Sequence, residues 1–143
     1  MNSISEGTDL QNYIPQRPPF FMIDKLYEKG DNFVVSGLKV SSDNILFEDG
    51  QLREGGIIEN IAQTAALFAG VSFKDSGKEV PVGYIAGIKN LKINKLPETG
   101  DELITKTTVT NELNNIQIVN GEVKSEAGEL IASCELRIFI KES

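Results

Sequence analysis

Apolar and polar residues follow two different periods along this chain. Runs dense in aliphatic and aromatic residues predict strands at FFMIDKLYE (20–28), NFVVSGLKV (32–40) and VGYIAGIKNLKINKL (82–96). Three more follow at ELITKTTVTNE (102–112), NIQIVNGEVKS (115–125) and LIASCELRIFI (130–140). Gly30-Asp31, PETGD (97–101), Asn114-Asn115 and EAGE (126–129) carry turn chemistry between them. In the last strand Leu130, Ala132, Cys134, Leu136, Ile138 and Ile140 alternate with Ile131, Ser133, Glu135, Arg137 and Phe139. The first set has no charge and is the expected inward face.

The helical period occurs once, from Gly56 to about Gly70, in GIIENIAQTAALFAG. At about 100° per residue, Glu59, Asn60, Gln63 and Thr64 share one polar arc, into which Leu67 also falls. The isoleucines, alanines and Phe68 fill the rest, an apolar arc wider than a surface helix needs. Such a helix must be wrapped on several sides. Residues 41–55 show no period and predict a loop near solvent or at a site mouth. Residues 1–12 are polar and predict a loose arm, and the prolines at 15, 18 and 19 delay any regular element until Phe20. The expected order is two strands, a loop, the helix and four strands. This is an α+β single domain over residues 1–143, a mostly antiparallel sheet on one long buried helix. Nothing in the turns suggests barrel closure, so a long sheet edge needs covering, most simply by edge-to-edge pairing into a dimer.

Composition narrows the function. With 40% apolar and 24% charged residues the chain reads as globular. No run approaches the roughly 18 apolar residues of a membrane span. The opening MNSISEGTDL lacks the basic start and apolar run of a signal peptide. Cys134 is the only cysteine, so the chain has no internal disulfide and suits the cytoplasm; on an apolar strand face it is expected to act as a small buried hydrophobe. A net charge of −7 argues against nucleic acid. The count of zero histidines excludes His-based metal sites and Ser-His or Cys-His nucleophiles within the chain. GDNFVVSG and GYIAG lack the spacing of a phosphate-binding loop, so no cofactor and no metal is expected. Acid–base work must use Asp, Glu, Lys, Tyr, Cys or a group lent by a partner.

Three stretches together resemble one family. YIPQRPPFFMIDKL (13–26) is similar to the opening of the hotdog-fold 3-hydroxyacyl-(acyl-carrier-protein) dehydratases, matching at Pro15, Arg17, Pro19 and Asp24, with Gln16 where that family's motif has histidine. IIENIAQTAA (57–66) resembles the family's helix, with Glu59 at its catalytic carboxylate and Gln63 at the companion glutamine. GYIAGIKNLKINKLPETGDEL (83–103) resembles its long central strand and following turn. The likeness implies a hotdog dimer, two sheets joined by their edges and an acyl thioester bound between subunits. It also implies a reaction in which one subunit's histidine and the other's helix carboxylate remove water from a β-hydroxyacyl chain. The catalytic histidine of the family lies upstream of the helix, where this chain has FEDGQLREGG, and Gln51 stands at the possible position. Glutamine has no useful proton affinity at pH 7. The PQRPP opening and the short stretch before the helix look closer to a divergent branch associated with aryl-polyene-type pigments.

Glu59 and Gln63 are the candidate catalytic pair. The amides of Gly55, Gly56 and Ile57 at the helix start, with Arg53, are the candidate substrate-binding groups, placed to stabilise a developing enolate. One carboxylate does not readily act as acid and base on opposite reaction partners. The leading expectation is therefore a site shared with a histidine-bearing hotdog partner, in a homodimer or heterodimer, acting on an acyl carrier protein. The alternatives are a non-catalytic acyl-binding or dimerisation partner, and a thioesterase in which Glu59 activates water. Arg17 is expected to be structural, pairing with a carboxylate such as Asp24 or capping strands. Lys89 and Lys95 have one strand parity and Lys92 the other, so they should not share a face; with Arg53 and Lys74 they are candidates to guide an acidic carrier protein or a phosphopantetheine phosphate.

Overall fold

In the computed structural model, residues 2–77 and 82–141 are described, Val82 by its backbone alone. The end of the expected polar connection, residues 78–81, lies outside the described residues. The elements are β1 (Ser5–Glu6), a 3₁₀ helix (Gly7–Asn12), β2 (Lys25–Lys29), β3 (Phe33–Lys39), β4 (Phe47–Glu48), β5 (Gln51–Leu52) and α1 (Glu54–Asp75). After them come β6 (Val82–Ile93), β7 (Glu102–Leu113), β8 (Ile116–Lys124) and β9 (Leu130–Lys141). Seven strands form one sheet in the spatial order β1-β2-β3-β7-β8-β9-β6, and all its pairings are antiparallel. β4 and β5 make a separate small hairpin, turned at Asp49 and Gly50, both at positive φ.

α1 packs against β3, β7 and β8 and seals two apolar clusters. Ile57, Ile61 and Ala65 meet Leu103, Val119, Val123, Cys134 and Leu136 in one. One turn further on, Leu67 and Val71 meet Leu10, Ile14, Ile23, Leu26 and Val34 in the other.

Several expectations are corrected by tertiary contacts. The first twelve residues are not a loose arm: Ser5 and Glu6 pair with Leu26 and Lys25, and Leu10 is fully buried. The first long strand starts at Lys25 instead of Phe20, because the Met22 amide bonds a helix side chain and not a neighbouring strand. The stretch 41–55 holds the β4–β5 hairpin. The helix runs 22 residues, longer at both ends than its apolar period.

Two parities also change. In β9 a register shift opposite Val123/Lys124 swaps Ile131 into the core, 3% exposed, and leaves Leu130 37% exposed. In β6 the shift between Lys89 and Lys92, with Asn90 at φ 55°, places both lysines opposite outward positions of β9, Glu135 and Ser133. Lys89 and Lys92 therefore do share a face. Bulges of this kind break the period of two that the sequence argument assumes.

Candidate active site

Most of the polar arc of α1 is buried together with Ile57 and Ile61. Asn60, Gln63 and Thr64 are fully buried, because the backbone between Phe20 and Met22 and two strand hydroxyls supply their hydrogen bonds. Gln63 Oε1 accepts from the Met22 amide at 2.6 Å, and its Nε2 donates to the Phe20 carbonyl at 2.7 Å. The same Nε2 donates to Glu59 Oε2 at 3.0 Å, one helical turn back. Asn60 Nδ2 donates to the Met22 carbonyl at 2.8 Å, and its Oδ1 accepts from Thr105 Oγ1 at 2.6 Å. Thr64 Oγ1 donates to the Asn60 carbonyl at 2.6 Å, which makes Ser36 the donor in their 2.7 Å contact. Asn60 and Gln63 thus hold three successive peptide units from Phe20 to Ile23, just after the prolines, and Gln63 passes that rigidity to Glu59.

Glu59 is half-buried and opens onto a groove of about 440 Å³. The floor is the small-residue face of α1, Ala62, Ala65, Ala66 and Ala69. One wall is the segment from Asn12 to Gln16; the other comes from β6 and β9 through Ile85, Ile138 and Ile140. Small side chains on the helix leave room that leucines would fill. The groove follows about 22 Å of helix from Glu59 to Lys74. Its lining is mostly apolar, with Glu59 and Lys74 at the two ends of the helix face and Asn12, Gln16 and Gln117 among the walls. On its wall, Gln16 Oε1 is buried and has no hydrogen-bond partner among the described residues.

The other expected site residues are arranged differently. The amides of Gly56 and Ile57 both donate to the Arg53 carbonyl, at 2.9 and 3.2 Å, and so are not free to hold an enolate oxygen. Arg53 is the N-cap residue, with its Nε 3.2 Å from Glu54 Oε1. Neither Arg53 nor Gln51 lines the Glu59 groove. Gln51 pairs with Glu48 in the small hairpin and bridges to Glu98. Because α1 begins at Glu54, Glu59 sits in the second turn, and the carboxylate that meets the helix dipole is Glu54. Helix-start electrostatics therefore does not account for Glu59. Asn60 was visible in the polar arc without being a candidate; a glutamine three positions on, facing the same way, was the available signal.

Arg17 is structural, but its partners are carbonyls. It donates to Ile14 and Gln16 at 2.7 and 2.8 Å and to Gln11 at 3.1 Å, clasping the proline segment. Asp24 serves another cluster, outside the groove. Its Oδ2 accepts from the Lys39 amide, and Lys25 Nζ lies 2.9 Å from both Asp24 Oδ1 and Glu102 Oε2. Tyr27 donates to Glu102 at 2.6 Å. Burial works to raise the Glu102 carboxyl, but the Tyr27 and Lys25 hydrogen bonds and the charges of Lys25 and Lys39 hold it below its usual range. Burial works to lower Lys25, and its two carboxylate partners outweigh this and raise it. Burial, then the bond to Glu102, pushes Tyr27 up to about 12. Cys134 is buried and pushed up to about 11 by burial, so it is a core residue and not a reactive thiolate. Among the described residues no helix is long and apolar enough to cross a membrane.

Comparison with known proteins fits this geometry. The family described as "ApeP-like: ApeP dehydratase" matches residues 8–143. The 3-hydroxyacyl-(acyl-carrier-protein) dehydratase FabZ of Campylobacter lari is 32% identical over 138 residues, covering 92% of this chain and 94% of that protein. FabZ of Staphylococcus epidermidis is 31% identical over 152 aligned positions and the full length of both. Among solved structures, the dehydratase heterocomplex ApeI:P from Xenorhabdus doucetiae superposes with a TM-score of 0.84 at 19% identity, over 94% of this chain and 91% of that one. A hypothetical thioesterase with coenzyme A from Streptococcus pneumoniae gives 0.69 at 14% identity, over 82% and 85%. At such identities the structural likeness establishes the hotdog fold alone.

Proposed function

The chain belongs to the ApeP-like dehydratase family, and from that premise we propose that it supplies Glu59 to a 3-hydroxyacyl thioester dehydratase site completed by a histidine of a second hotdog subunit. The observation that carries this reading is a half-buried carboxylate, fixed by Gln63 at the mouth of an apolar groove, in a chain with zero histidines. In the reaction a proton leaves Cα, the electron pair of that C–H bond becomes the Cα=Cβ bond, and the C–O bond at Cβ breaks with its pair going to oxygen. The departing hydroxyl takes up a proton and leaves as water. The two proton transfers are most readily divided between two groups, one at Cα and one at the hydroxyl.

We assign Glu59 to the hydroxyl side and the lent imidazole to Cα. Gln63 occupies Glu59 Oε2, and Oε1 has no partner among the described residues, so one oxygen remains for the substrate. The apolar groove suits an acyl chain. With the Gly56 and Ile57 amides engaged, the donor for the thioester oxygen is the Gly55 amide or a group of the second subunit. The heterocomplex formed by the Xenorhabdus dehydratase supports a shared site.

The test is to purify the chain alone and with a genomically neighbouring hotdog subunit that bears histidine. Each is then assayed for hydration and dehydration of a 3-hydroxyacyl carrier-protein substrate. We expect turnover only from the complex, and a loss of about 100-fold or more in kcat on Glu59→Gln within it. Full activity of the isolated chain, or no effect of Glu59→Gln in the complex, overturns the proposal. Acyl binding without turnover in the complex would favour a non-catalytic role, and thiol release from acyl-coenzyme A by the isolated chain would favour hydrolysis.

A further inference from the structure

The groove beside Glu59 is longer than the dehydration itself needs. The two reacting carbons take up only the stretch next to the carboxylate, yet the lining continues to Lys74, about 22 Å further along α1. Between Glu59 and Lys74 the helix contributes only alanines to it. Ala62, Ala66 and Ala69 stand at i, i+4 and i+7, on one stripe of the helix, and each is half-buried. The facing wall is fixed. Ile85 and Ile138 are direct cross-strand partners in the β6–β9 ladder, and Gly83 lies opposite Ile140. Their β-branched side chains are stiff about χ1, so this wall does not retreat. At Gly83 the space is already in use, since a Cβ there would stand 3.2 Å from Ile138 Cγ2. The width of the groove therefore depends on the methyl groups of the helix stripe. A larger side chain on that stripe narrows the groove at its own level.

The same stripe carries a scale of length. Along the helix axis Ala66 lies about 10 Å and Ala69 about 15 Å beyond Glu59. An extended chain advances about 1.2 Å per bond, the rate of an extended polypeptide backbone. With Cβ of a 3-hydroxyacyl group at Glu59 and its tail directed toward Lys74, Ala66 meets the tail near about carbon 12 and Ala69 near about carbon 15.

We propose that Ala66 and Ala69 are specificity-determining residues that admit a long acyl chain, the tail running from Glu59 toward Lys74. Each marks the length at which a larger side chain stops the tail. The proposal deepens the dehydratase reading and rests on it for the place of the reacting carbons at Glu59. Its readout is binding, which requires no turnover.

The probes are 3-hydroxyacyl pantetheine amides of six, ten, fourteen and eighteen carbons, with an amide in place of the thioester. Each is titrated by calorimetry into the purified chain and into its complex with the histidine-bearing subunit. Each methylene buried is worth about fourfold in affinity, so wild type should bind every longer probe more tightly. In Ala66→Leu that gain should end after the ten-carbon probe, and in Ala69→Leu after the fourteen-carbon probe. The ratio of eighteen-carbon to six-carbon affinity should fall about 100-fold or more in Ala66→Leu and about tenfold in Ala69→Leu. Wild-type affinity that does not rise with length, or no binding of any probe, overturns the proposal. An unchanged ratio in both variants overturns it as well. So does the reverse order, with Ala69→Leu rejecting shorter chains than Ala66→Leu, because the tail would then run the other way. Where a leucine variant does not fold, Ala66→Met or Ala69→Met takes its place and the same order is required. A failed dehydration assay leaves these affinities measurable, so the two readings fail separately.

Discussion

At Gln63 one acceptor and both donors are engaged within the fold, so in the proposed site substrate contact would fall to Glu59 and Gln63 would position it. Replacing it with leucine leaves the Met22 amide and the Phe20 carbonyl without partners. Gln63→Leu should cost about 2–4 kcal/mol in urea unfolding. Glu59→Gln keeps an acceptor toward Gln63 and should change stability by no more than about 0.5 kcal/mol while removing the acid–base function proposed for it. That contrast separates a chemical role from a structural one at neighbouring turns of the same helix. Gly70 tests packing. Its Cβ position collides with the Tyr13 carbonyl, backbone that cannot swing aside. Gly70→Ala, which gains about 1 kcal/mol in an exposed helix, should instead destabilise by about 2 kcal/mol or more. Glu59 and Gln63 were legible as a pair because the helical repeat alone brings residues four apart together. Asn60 was not, because its partner Met22 is 38 residues away in the chain.

Among the elements, β2, β3 and β7 are joined by side chains as well as by their ladders. Lys25, Tyr27 and Glu102 form one cluster over that junction. Glu102 is held below its ordinary value of 4.5, so its contribution is complete above that pH and is lost as the pH falls through the lowered value. Lys25 is raised above 10.5, so its contribution is complete below 10.5 and is lost as the pH rises through the raised value. Tyr27, raised from 10.0 to about 12, adds to the loss on the same alkaline side. Urea midpoints measured across pH should therefore fall on both flanks. For Glu102→Gln the gap to wild type should be widest on the plateau and close on the acid side. The strand runs that meet here were readable from composition, but their meeting was not: Tyr27 and Glu102 are 75 residues apart. The bulges in β6 and β9 were hidden for a related reason, since an extra residue is invisible until a partner strand shows the register.

For the molecule as a whole, the N-terminal segment is part of the core and of the groove. Leu10 packs on Leu67 and Val71 at the far end of α1, and residues 12–16 wall the groove that Glu59 opens into. Leu10→Ala should therefore behave as a core mutation, costing about 3 kcal/mol and lowering Tm by roughly 10 °C in calorimetry. A polar arm would have tolerated it. At the opposite side of the sheet β6 remains uncovered, with large apolar side chains on both faces. The groove borders this same strand through Ile85, so a chain that docks on β6 also lies beside the site.

Legible without coordinates were the strand runs, the single wide-faced helix and the Glu59–Gln63 pair, because each depends on a local period or a spacing within one element. The absence of an internal imidazole was equally plain, and it already implied a site in need of a second group. Tertiary structure alone decided that the helix's polar arc is buried as well as its isoleucines, since only distant backbone and hydroxyl groups could satisfy it. It also decided that residues 5–12 are built into the fold, that the Gly56 and Ile57 amides are occupied, and that Lys89 and Lys92 share a face. Each of these turns on a partner far away in the chain, and the hydrogen bond or register that partner imposes outweighs the local pattern.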